Sequence, residues 1–162
     1  MFKKSMIAMA VLSMAAGAQA TLVTQDNIKD YIKDNVVNVD GGEIYQQGPD
    51  KAAWELKADS ITVKNINPSG NPDNNHAVWA NGKLTLETTK GDIDLESSYL
   101  GLYVSGHKAQ STQPAELTLK SARDIKITTK SGWAVKNEKD STTAQGYNSG
   151  LTMSAKGNII IN

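Results

Sequence analysis

The chain has 162 residues, 17 basic and 17 acidic side chains, and no cysteine. That length suits one domain, and the missing cysteine excludes a disulfide framework, a thiolate metal site and a cysteine nucleophile. Arginine occurs once, at Arg123, so a phosphate-reading surface of clustered arginine and lysine is excluded and no nucleic-acid partner is expected.

The first twenty residues read as a secretory signal. Lys3 and Lys4 precede an apolar run from Met6 to Ala16, which ends at Ala18-Gln19-Ala20. A basic start, a short apolar stretch and a small-x-small site predict cleavage after Ala20 and export across the inner membrane. The run is too short for a retained membrane helix. Losing Lys3 and Lys4 leaves fifteen basic against seventeen acidic residues.

Residues 21–49 differ in pattern from residues 50–162 and are expected to form an N-terminal cap. Asp26 is placed to cap a short helix with Ile28, Tyr31 and Ile32 on one face. Val37-Asn38-Val39, a turn at Asp40-Gly41-Gly42 and then Ile44 read either as a hairpin or as a partial first repeat.

From residue 50 to residue 162 the chain repeats itself. Leu84-Thr85-Leu86 recurs as Leu117-Thr118-Leu119 and Leu151-Thr152-Met153, at steps of 33 and 34 residues. Ile93-Asp94-Leu95, Ile125-Lys126-Ile127 and Ile159-Ile160-Ile161 follow them, and Trp54-Glu55-Leu56 with Ile61-Thr62-Val63 reads as an earlier copy. A third triplet reads as Ala77-Val78-Trp79, Leu102-Tyr103-Val104 and Trp133-Ala134-Val135.

Large apolar residues flank a usually polar one in each triplet, the period of a strand with one buried face. Three short strands cannot bury those faces alone, but stacked repeats enclose a shared core. The expected fold is therefore all-β, a right-handed parallel β-helix of about three to four coils. Its register puts Lys83 over Glu116, Lys57 and Lys120 on either side of Glu87, and Asp94 over Lys126. It also aligns Thr85, Thr118 and Thr152, and stacks Asp92, Asp124 and Asn158 as a turn ladder. Residues 65–75, 106–114 and 137–148 vary while the strands keep step, which marks them as specificity-bearing loops. The chain stops on Ile159-Ile160-Ile161-Asn162, so its last apolar edge is expected to continue into a longer polypeptide.

The pattern Gly-x-Leu-Thr-Leu, Gly-Asp-Ile-x-Leu and Leu-Tyr-Val, read at 82–86, 91–95 and 102–104, resembles autotransporter passenger domains of the type V secretion family. The signal, the absence of cysteine and the Asn/Thr/Ser-rich repeats belong to the same resemblance. It implies a β-helix carried to the cell surface, or released, by a C-terminal outer-membrane barrel of the same chain. That translocator barrel is missing from these residues. Haemagglutinin-like exoproteins and polysaccharide-active β-helices share the pattern.

Among candidate sites, Asp92, Asp94 and Asp124 are the aspartates that a polysaccharide lyase or hydrolase on this fold would use. The turn ladder explains them with fewer assumptions. His76 and His107 fall in unlike contexts and read as surface loop residues, not as metal ligands. No serine stands in a Gly-x-Ser-x-Gly elbow. Trp79, Trp133, Tyr99, Tyr103 and Tyr147 are the better binding candidates. Outward rings stack on sugars or anchor a protein, while inward rings are core. The expectation is a non-enzymatic adhesin-like chain that needs no metal or other cofactor. Its partner is a protein or glycan of a host or neighbouring cell surface.

Overall fold

The computed structural model describes residues 20–46, 52–66, 75–105, 114–138 and 149–162. The expected signal, Tyr147, His107 and most of the three variable segments lie outside the described residues.

Strands β1 (Thr21–Val23), β2 (Ile32–Lys33), β3 (Val36–Asp40), β4 (Gly42–Gln46) and β5 (Trp54–Ala58) come first. They are followed by β6 (Ser60–Asn65), β7 (His76–Ala80), β8 (Lys83–Thr88), β9 (Ile93–Ser97) and β10 (Leu100–Ser105). The last five are β11 (Ala115–Ser121), β12 (Ile125–Thr129), β13 (Trp133–Glu138), β14 (Ser149–Ala155) and β15 (Ile159–Ile161). A single 3-10 turn at Ile28–Tyr31 is the helical element among the described residues.

The protein is thus all-β, and its sheets are parallel apart from one short edge pair. One sheet runs β1-β4-β7-β10-β13, a second β14-β11-β8-β5, and a third β15-β12-β9-β6-β3-β2. Between β3 and β15, two strands in other sheets separate each strand from its next partner. Parallel strands need such crossovers, because a tight turn joins only antiparallel neighbours.

Apolar residues fall on one another along every sheet. In the third sheet Val37, Ile61, Ile93, Ile125 and Ile159 form one line, and Val39, Val63, Leu95, Ile127 and Ile161 the next. In the second, Trp54, Leu84, Leu117 and Leu151 align beside Leu56, Leu86, Leu119 and Met153. Val23, Ile44, Val78, Leu102 and Val135 run along the first. Most of these side chains join one buried cluster. Alternation puts the intervening residues outside, and a slip of one residue would exchange the two sets.

The first two triplets keep the register expected of them, and the third does not. Leu102-Tyr103-Val104 lies against Val78-Trp79-Ala80 and against Val135-Lys136-Asn137. The expected third-strand copies are therefore one residue early at Ala77 and two early at Trp133. At Trp133 the apolar match is out of step with the ladder, whose Leu102–Val135 step equals the Leu84–Leu117 step. At β7 the variable segments change the step, since 67–74 precedes β7 whereas 106–113 follows β10. The Trp79–Tyr103 step is accordingly much shorter than the Leu84–Leu117 step.

Near the N-terminus, β3 and β4 already belong to the parallel ladders. The hairpin lies earlier, between β2 and β3, where Ile32 pairs with Val37. Its turn residues Asp34 and Asn35 have φ of 50° and 61°, the left-handed conformation a two-residue hairpin requires. Asp26 is not the cap. Asn27 holds the cap position without a side-chain cap bond, and its Oδ1 instead accepts the N–H of Thr24. The turn is too short to give Ile32 a buried face, so Ile28 is buried and Ile32 exposed.

Leu119 has no exposed surface and sits mid-ladder, whereas Thr118 beside it points outward. Leu119→Ala is expected to cost about 2–5 kcal/mol, and Thr118→Ala to stay within about 0.5 kcal/mol. Urea unfolding of both variants checks the difference.

Candidate binding face

The outer faces of the three sheets differ in chemistry. The second carries charges and threonine: Lys57 pairs with Glu87, Lys83 with Glu116 at 3.2 Å, and Thr85, Thr118 and Thr152 align. Lys120, the other neighbour of Glu87, acts on it only through space. On the third sheet Lys64 reaches Glu96 at 3.6 Å. Exposed pairs like these add only tenths of a kcal/mol each.

The expected pair of Asp94 with Lys126 is not the one formed. Their backbones are in register, but Lys126 Nζ lies 3.0 Å from Asp92 Oδ2. Asp92 wins because its carboxylate also accepts the Asp124 N–H at 3.1 Å and faces Arg123 Nε at 3.7 Å. The Asp124 N–H, then Lys126, hold the Asp92 carboxyl below the usual range, and Asp92 raises Lys126 in return.

The same arrangement repeats one step on, where Asp124 Oδ1 accepts the N–H of Asn158 at 2.8 Å. The backbone carbonyls of Asp92, Asp124 and Asn158 accept the N–H groups of Ile61, Ile93 and Ile125. These residues therefore tie one turn to the next by side chain and by backbone. Of the three aspartates, Asp92 and Asp124 spend a carboxylate oxygen in that ladder, and Asp94 stands beside it.

The first sheet carries rings instead. Tyr45, Trp79 and Tyr103 are aligned on β4, β7 and β10, and Lys136 continues the line on β13. The Tyr45 and Trp79 centroids lie 4.6 Å apart at 39°, and those of Trp79 and Tyr103 5.7 Å apart at 35°. All three rings are half-buried. The Lys136 ammonium sits 5.3 Å from the Tyr103 centroid and 5.2 Å from that of Trp133, within cation–π range. It also pairs with Glu138, whose Oε2 accepts the Tyr103 hydroxyl at 2.7 Å. Lys136 and then Tyr103 lower the Glu138 carboxyl, Glu138 raises Lys136, and burial raises the Tyr103 phenol.

Beneath the rings lies a buried polar pair. Glu43 and His76 are each 2% exposed, with Oε2 and Nδ1 3.1 Å apart. The imidazole stacks on Tyr103 at 5.1 Å and 15°, and Asn65 Nδ2 donates to the His76 carbonyl at 2.7 Å. The expectation of a surface loop histidine is thus overturned, because His76 begins strand β7 and is covered by the aromatic row.

Trp79 and Tyr103 are therefore central to one row, while Tyr99 and Trp133 form a second contact at its edge, 6.4 Å apart. Trp133 is 54% exposed. Tyr45, Glu43, Lys136 and Glu138 are the members that the triplets read from the sequence miss. The steps of 33 and 34 residues kept by the Leu-Thr-Leu triplets lead from Tyr103 on to Lys136 and from Trp79 back to Tyr45, and would have found both.

Comparison with protein-family models, with curated proteins and with solved structures finds no match.

Two measurements test the corner ladder and the buried pair. The depressed Asp92 carboxyl adds stability that is present above its unfolded pKa, near 3.9, and lost as pH falls through the lower folded value. Asp92→Asn is expected to be less stable than the parent at neutral pH and to lose less on acidification, read as thermal midpoints from pH 6 to pH 2. Glu43→Ala leaves the buried imidazole without its acceptor, a loss of about 1–3 kcal/mol. Glu43→Gln keeps an acceptor and is expected to lose less, as chemical unfolding would show.

Proposed function

We propose that this chain belongs to a non-enzymatic secreted or cell-surface protein, similar to autotransporter passengers. In this reading the three sheets are the faces of a right-handed parallel β-helix. The support is the strand order, in which every third strand joins the same sheet in parallel. Right-handed crossovers are by far the commoner hand between parallel strands.

The observation that carries the functional reading is the aromatic row on one outer face, beside two faces of paired charges and threonine. Half-exposed aromatic rings offer apolar area and polar edges to a partner. Undescribed segments 47–51, 106–113 and 139–148 directly follow β4, β10 and β13, three strands of that sheet. Binding runs through the row together with these segments, and the partner is a surface protein or glycan. The engagement of Asp92 and Asp124 in backbone hydrogen bonds supports binding over polysaccharide cleavage.

The test is attachment of the labelled chain to cells, scored by flow cytometry. Joint replacement of Tyr45, Trp79 and Tyr103 by alanine is expected to weaken attachment at least about tenfold, the scale of an interface hot spot. Replacing 47–51, 106–113 and 139–148 with Gly/Ser linkers is expected to weaken it similarly while circular dichroism stays unchanged. Full attachment by both variants would sink the reading.

A further inference from the structure

Resting on that reading, we propose that Tyr45, Trp79 and Tyr103 form a row of subsites for an extended, uncharged glycan. The glycan runs across the strands with one pyranose per rung.

The spacing selects the ligand class. Neighbouring strands repeat at about 4.8 Å, and the ring centroids here follow at 4.6 and 5.7 Å. That is about the length of one pyranose unit in an extended chain, so successive sugars meet the outward edges of successive stacked rings. A peptide strand crossing the row repeats its same-side residues at about 6.6 Å, twice its rise per residue, and falls out of step within three rungs. The row is one residue wide, too narrow alone for the roughly 1,000 Å² a stable protein interface needs.

The charges select against acidic sugars. Lys136 is the cation of this row, and Glu138 already pairs with it. His76 faces Glu43 from beneath the rings. Among the described residues of the row, no cation is left to take a uronate or sialate. What remains suits hydroxyl groups: the Glu138 carboxylate accepts, and the Tyr103 oxygen has lone pairs beyond the proton it donates. The Trp79 Nε1–H is buried and lacks an acceptor among the described residues. An unmade buried hydrogen bond is costly, so a small turn of the indole towards a sugar hydroxyl on binding is favoured.

The experiment is calorimetric titration of the full chain with cello- and chito-oligosaccharides of two to six units, and with polygalacturonate as the acidic comparator. Affinity is expected to rise up to about three sugars and then level, with polygalacturonate weaker. Tyr45→Ala, whose ring lies at the end of the row, is expected to lose at least fivefold. Trp79→Phe keeps the stack without the N–H and is expected to lose less than Trp79→Ala. Absence of binding by every neutral oligosaccharide, or binding indifferent to Tyr45→Ala and Trp79→Ala in folded protein, overturns the proposal. If cell attachment still depends on the rings but neutral oligosaccharides do not compete, the glycan inference falls and the wider binding reading stands. If nothing attaches, both fall.

Discussion

Everything in this protein depends on parallel register. Each inner strand satisfies its backbone hydrogen bonds through the two strands beside it in its sheet, and apart from the β2–β3 hairpin those partners come from distant parts of the chain. Once Ile93 lies between Ile61 and Ile125, the facing of every neighbouring side chain is decided. The interior is then a set of like-on-like lines, Ile on Ile and Leu on Leu, with no need for a complex jigsaw. Ser97 Oγ is buried in such a line without a hydrogen-bond partner among the described residues, whereas other polar residues meet across it. Thr88 meets Ser121 at 3.2 Å, and each hydroxyl also lies within hydrogen-bond distance of a turn carbonyl, at Gly91 and Asp124.

Register also explains how corners are held. The Asp92 and Asp124 side chains, each before an Ile, bond the backbone one repeat away, so the turn is fixed to its neighbour and not merely to itself. The same principle governs close approach on the other side. A side chain on Gly101 would strike the Ala134 carbonyl and the Ile127 methyl, because the strands of two sheets converge there. The antiparallel strand β2 finishes one sheet edge differently, with a tight Asp34-Asn35 turn and the Asn35 amide bonded to Asp59 at 2.9 Å.

With the interior and corners committed, the outer faces are free to vary, and they diverge. Two carry compensating charges, which tolerate water and discourage adventitious contact. The third stacks rings over a buried carboxylate–imidazole pair. Burying such a pair is expensive unless its groups satisfy one another. Its presence between β4 and β7 locks the strands that aim Tyr45 and Trp79.

The amino-acid sequence alone determined the strands of the second sheet, those of the third from β6 to β15, their register and the Asp92–Asp124–Asn158 ladder. Period-2 alternation at a nearly constant step is a local signal that survives stacking. It did not determine the first sheet. There the variable segments fall on different sides of β7 and β10, so the step from Trp79 to Tyr103 is short, and matching the triplets by their apolar residues put Trp133 where Val135 belongs and passed over Tyr45, Lys136 and Glu138. Nor did it place His76, which packs against rings three and twenty-seven residues away in sequence. Asp94 and Asp92 compete for Lys126 on equal terms in sequence, and only the corner, with its backbone N–H and Arg123, decides for Asp92. Tertiary structure settled what depends on groups brought together from different repeats, because such meetings leave no periodic trace in the chain.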